Sequence, residues 1–116
     1  MLIPAFILLN TIPHFQSTQV TVQEGANVGK HVLSYQKLGN SKITNQEFAD
    51  EIVQKLFNEL WKKAGKFESW PHDTLCINQE KYSVTYNGQK REICSSKTQF
   101  QALGRFQSQA ALILSK

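Results

Sequence analysis

The sequence predicts an α+β fold, an antiparallel sheet packed by a long amphipathic helix and a C-terminal helix. Three observations predict it. An Asn-Gly pair separates two strand-like runs, a hairpin signal. Apolar residues recur at three- and four-residue spacing over two long stretches, as in helices lying on a core. The resulting order is strand, strand, long helix, three strands, helix, which helices packed on one face of a mostly antiparallel sheet satisfy. A chain of 116 residues has the size of one domain, and 41% hydrophobic with 19% charged residues is a globular composition rather than a disordered one. That length leaves little room for an enzyme built from two subdomains.

Charge is absent from the start of the chain. No Lys or Arg precedes Lys30, and Glu24 is the only acid before it. Leu2, Ile3, Ala5, Phe6, Ile7, Leu8, Leu9 and Ile12 form an apolar run closed by Pro13. The run is shorter than the roughly 20 apolar residues that cross a bilayer. It matches the core of a signal peptide, about 7–15 residues, although a basic n-region and a good small-x-small cleavage site are lacking. The expected organisation is therefore an apolar segment over 1–18, acting as a signal or tether, ahead of a single α+β domain over 19–116. The competing reading of the segment is a short buried helix, with Pro4 in its first turn and Pro13 stopping it.

Gln19 to Gln23 alternates in period two, and His31 to Lys37 is rich in Val, Leu and Tyr; Gly25 to Gly29 between them supplies turn residues, so an N-terminal hairpin is expected. The long helix is read from about Asn45 to Ala64. Phe48, Ile52, Leu56 and Leu60 repeat every four residues, with Ala49, Val53, Phe57, Trp61 and Ala64 alongside. Thr44 or Asn45 would cap it, Glu47 would complete a capping box, and Gly65 would end it in a left-handed conformation.

Asn87-Gly88 joins Tyr82–Tyr86 to Gln89–Cys94. A two-residue turn sets the register, pairing Tyr86 with Gln89, Val84 with Arg91 and Tyr82 with Ile93, and puts Tyr82, Val84, Tyr86 and Ile93 on one face. Leu75 and Ile77 would add a third strand, making a meander. The last helix is read from about Lys97 to Leu114 on Phe100, Leu103, Phe106, Ala110 and Ile113, with Gly104 a mild penalty.

No motif is specific enough to name a reaction. Gly25 to Lys30 has three residues between its glycines and His31 after the lysine, whereas a phosphate-binding loop needs four and a Ser or Thr. Cys76 and Cys94 are the only cysteines and form the candidate disulfide of an exported domain. A flanking third strand is incompatible with that bond, since two strand spacings of about 10 Å exceed the roughly 7 Å between bridged Cα atoms. His72 four residues before Cys76 lacks the paired spacing of a zinc site and any residue that would activate a thiolate. No catalytic residue, metal ligand or cofactor is expected.

Thirteen basic against nine acidic residues give +4, dispersed along the chain. The residues expected at a contact surface are Trp70, beside Pro71 in a loop, with His72, Lys62, Lys63, Lys66, Lys90 and Arg91. The function expected is a small exported (periplasmic or extracellular) or membrane-tethered non-catalytic binding module contacting a protein or a small ligand, with residues 1–18 offering peripheral membrane association. The alternative is a cytosolic nucleic-acid-binding module using Lys55, Lys62, Lys63, Lys66, Lys90 and Arg91. A small hydrolase or transferase comes third.

Overall fold

The computed structural model describes residues 3–15, 17–39, 42–71 and 76–115. Its elements, in chain order, are β1 (Phe6–Thr11), β2 (Thr18–Glu24), β3 (Lys30–Lys37), β4 (Ile43–Ala49), α1 (Asp50–Ala64), β5 (Lys81–Tyr86), β6 (Gln89–Cys94) and α2 (Thr98–Leu114), with a 3-10 turn at Phe67–Ser69. The strands form one six-stranded antiparallel sheet in the order β4-β3-β2-β1-β5-β6. Both helices pack against it, as the sequence predicts. Four strands run as a meander away from β1; α1 then carries the chain back, and the β5–β6 hairpin pairs with the other side of β1.

Part of the apolar start of the chain lies in this sheet. Phe6–Thr11 is an interior strand, Leu8 pairing with Val20 on one side and Val84 on the other, and β2 begins at Thr18. The short buried helix is corrected to a strand. Ile7 and Leu9 point away from the helices, between Thr21 and Thr85 and between Gln19 and Ser83, yet are apolar themselves, so Phe-Ile-Leu-Leu reads as an unbroken apolar run that periodicity cannot separate from a helix. Phe6 and Leu8 lie under the helices, while Ile7 on the other face is 41% exposed.

The long helix begins five residues later than its spacing suggests. Ile43–Ala49 is the edge strand β4, and Ala49, in extended conformation, takes the N-cap position without a side-chain bond. Asp50 and Glu51 favour the first turn through the helix dipole instead. Glu47, expected in a capping box, accepts from the Ala26 N–H at 2.8 Å and the Asn27 Nδ2 at 3.0 Å, clamping the β2–β3 turn. The Asn27 side-chain bond is the main cause that holds its carboxyl below the ordinary range. The buried seam of α1 is Val53, Phe57, Leu60 and Ala64, with Ile52 turned to solvent. Pairing with β3 overrides the helical spacing of Phe48 and Ile52.

The β5–β6 hairpin has the expected register, with Tyr86 opposite Gln89, Val84 opposite Arg91 and Tyr82 opposite Ile93. Asn87 and Gly88 both take positive φ, the geometry that a type I′ turn requires. The third strand beside β5 is β1, not the chain around 75–77; Leu75 lies outside the described residues, and Ile77 is 65% exposed. Under the helices, Phe6 meets Phe57 edge-on at 5.1 Å and Phe106 at 5.0 Å, and Tyr86 and Trp61 extend this aromatic cluster. Among the described residues no helix is long and apolar enough to cross a membrane.

Candidate functional site

The helix-covered face of the sheet changes character along its strands. Across one row Leu33, Val22, Phe6 and Tyr86 are neighbours; two residues along each strand stand Tyr35, Val20, Leu8, Val84 and Arg91; two further on come Lys37, Thr18, Asn10, Tyr82 and Ile93. Apart from Ile93 the last row is polar, although Asn10, Thr18 and Tyr82 are buried. Buried polar groups need partners, and Asn10 and Tyr82 have them. Asn10 Nδ2 donates to Glu80 Oε2 at 3.0 Å and to the Lys81 carbonyl at 3.2 Å. Tyr82 donates its hydroxyl to Gln107 Oε1 on α2 at 2.7 Å.

Above this row α1 and α2 leave a cleft of about 1010 Å³. Leu56 and Leu60 of α1 and Phe100 and Phe106 of α2 supply its apolar lining. Asn10, Glu80, Tyr82 and Gln107 supply polar groups at its inner end. Gly104 opens space there, since a Cβ at that position would sit 3.6 Å from the Tyr82 hydroxyl, an ordinary contact. Burial, and after it the negative charge of Glu80, push the Tyr82 hydroxyl above its usual range, so it remains a protonated donor at neutral pH. An apolar cleft with a few convergent polar groups is the usual form of a small-molecule site.

The expected contact residues do not assemble there. Trp70 is buried, 1% exposed, and its indole Nε1 donates to the Ala64 and Gly65 carbonyls at 3.0 and 3.1 Å, closing the C-terminal end of α1. Its expected surface role is thereby corrected: flanking Pro71 signals a loop, but the orphan carbonyls at a helix end draw the indole inward. Arg91 is also corrected to a buried position, 7% exposed, with its guanidinium 4.8 Å from the Phe67 ring centroid. Nη1 donates to the Lys90 carbonyl and Nη2 to Gln89 Oε1, and Nε has no partner among the described residues. His72 lies outside the described residues. Lys62, Lys63 and Lys66 are exposed around the end of α1, and Lys90 alternates onto the sheet face opposite the helices. Of the expected contacts among the described residues, only Lys63 lines the cleft. Of the six basic residues of the nucleic-acid reading, Lys55, Lys62 and Lys63 lie on α1 and Lys66 just after it, while Lys90 is on β6 and Arg91 is buried.

Cys76 and Cys94 are joined, with Cα atoms 5.4 Å apart. The bond and the Ser95 Oγ–Gln79 Oε1 contact at 2.8 Å tie the segment carrying Glu80 to the end of β6. Such a bond is consistent with an oxidising compartment. Sequence reasoning missed Asn10, Glu80, Tyr82 and Gln107 as a group; its one usable signal was Asn10, a lone amide closing an apolar run. It also missed His31, buried with Nδ1 2.7 Å from Asp50 Oδ1 and Nε2 3.3 Å from the Ile3 carbonyl, which joins β3 to the start of α1 and to the N-terminal segment. Among the described residues no group of three or more His, Cys, Asp or Glu is placed to hold a metal ion.

No protein-family model matches the chain, and no curated protein or solved structure matches it significantly.

Proposed function

We propose that this chain is a non-catalytic binding module of an oxidising compartment, exported from the cytosol, which takes a small, largely apolar ligand into the cleft between α1 and α2. The observation that carries the reading is the cleft itself, where apolar helix walls meet a buried polar row at Asn10 and Tyr82. Among the described residues its lining contains neither His nor Cys, and burial pushes the Tyr82 hydroxyl upward, which supports recognition rather than bond making. The Cys76–Cys94 bond supports the compartment. This proposal keeps Phe6–Thr11 in the working protein, because losing β1 would take an interior strand out of the sheet.

Titration with Nile red, a neutral apolar dye whose emission shifts in a dry environment, tests the reading. Saturable, blue-shifted emission is expected from the native protein. Gly104→Leu, which extends a side chain toward Tyr82, is expected to abolish it while far-UV circular dichroism stays unchanged. A native protein without saturable emission, or a folded Gly104→Leu variant that binds dye as well as the native one, would overturn the proposal.

A further inference from the structure

We infer that the cleft selects amphipathic organic anions, with the apolar body between the helices and the anionic group at the outer rim. This rests on the reading of the cleft as a ligand site and adds the chemical class of the ligand. The half-buried and the exposed parts of the cleft lining differ in charge. Half-buried beside Asn10 stands Glu80, whose carboxylate already accepts from the Asn10 amide, so an anion placed there meets a like charge and an acceptor rather than a donor. At the rim stand Lys55, Lys63 and Arg105 with a single acid, Glu59. Lys55, Glu59 and Lys63 are spaced four apart and so share one side of α1, while Arg105 comes from α2.

Among the described residues none of the three rim cations is paired with a carboxylate. Three cations around one acid create a local positive potential beside an apolar wall, and low-dielectric walls concentrate it. Lys and Arg also lay their aliphatic stems along apolar surface while the charged ends stay in water, which suits a rim over Leu56 and Leu60. A ligand with a hydrocarbon or aromatic body and one carboxylate, sulfate or phosphate meets both conditions. A cationic amphiphile satisfies the walls and is repelled by the rim.

The experiment compares three ligands with one tail: dodecanoate, dodecanol and dodecyltrimethylammonium, each displacing Nile red below its micelle concentration. At low salt dodecanoate is expected to displace at about fivefold lower concentration than dodecanol, the size expected from a few exposed charge contacts. The cation is expected to be weakest. The preference should disappear at about 1 M salt, where the screening length is about 3 Å. It should also disappear in the triple variant Lys55→Gln/Lys63→Gln/Arg105→Gln. The variant Lys62→Gln/Lys66→Gln/Lys90→Gln, with the same change in charge outside the lining, should keep it. Nile red bound and displaced equally well by dodecanoate and dodecanol, or best by the cation, overturns the anion preference and leaves the cleft reading in place. A preference that survives the rim triple variant also overturns it. Absence of saturable Nile red binding removes the cleft reading and this inference together.

Discussion

The two ends of the helix-covered sheet face are held by different forces. Around Phe6 the sheet meets a closed aromatic cluster, in which Phe57 and Phe106 lie within 5.3 Å of each other and all three rings are buried. Around Asn10 and Tyr82, only two strand residues beyond Leu8, the same face meets a cleft, and hydrogen bonds and a disulfide do the holding. Dispersion and burial stabilise in proportion to contact, so the first end is expected to carry the larger share of the fold's stability. The second leaves polar atoms and space that a ligand can fill. In the proposed reading, one face thus separates stability from recognition within the length of a strand.

The largest effect is expected where the aromatic cluster is cut. Phe57→Ala removes a buried ring that touches Phe6, Trp61, Tyr86 and Phe106. Urea unfolding should show a loss of about 3–5 kcal/mol, the range for a buried Phe truncated to Ala. A loss under about 1 kcal/mol would mean that the cluster is not the stabilising end.

Reduction of the disulfide comes next. Its two cysteines are 18 residues apart, and closing a loop of that size stabilises by about 3 kcal/mol in chain-entropy arguments. Unfolding midpoints with and without reductant measure the loss. Intact mass after alkylation supplies the covalent check: both thiols should react only after reduction, and their alkylation in freshly purified native protein would remove the bond from the account. Because the bond fixes the segment bearing Glu80, reduction should also weaken dye binding, whereas Phe57→Ala should leave the folded fraction able to bind.

The smallest effect is at the hydroxyl of Tyr82. Tyr82→Phe removes one hydrogen bond to Gln107 and should lower stability by about 0.5–1.5 kcal/mol at neutral pH. The sign of the pH dependence follows from the raised hydroxyl. The fold binds this proton more tightly than the unfolded chain, so its contribution is fully present below the unfolded value near 10 and declines as pH rises above it. The Phe variant should show a shallower alkaline loss than the native protein, and equal slopes in the two proteins would count against a buried, protonated Tyr82.

How much of this was legible depends on how local the controlling interaction is. The Asn87-Gly88 hairpin and α2 could be read because their own residues dictate turn geometry and helical period. β4 could not, because Ile43–Ala49 becomes a strand through its pairing with β3 while Phe48 happens to continue the four-residue spacing of the helix. The disulfide was legible as one of two exclusive arrangements, and β1 taking the place beside β5 decides between them. The cleft was not legible at all. Asn10, Tyr82 and Gln107 meet only after the sheet has closed, and no short window contains more than one of them.

Placing β1 between β2 and β5 has a consequence for synthesis on the ribosome. The meander from β1 to β4 leaves the exit tunnel first, and until β5 emerges the outer edge of that half-sheet is Phe6–Thr11, the most apolar strand of the molecule. The partner that covers it begins at Lys81, and the Asn10–Glu80 bond spans 70 positions. An apolar strand with a bare edge is a template for pairing with other chains, and non-local strand pairing is slow. The nascent chain therefore passes through an interval in which its own best strand is its chief aggregation hazard, and α1, emerging next, is the first element able to shelter the face of that strand before its edge is filled.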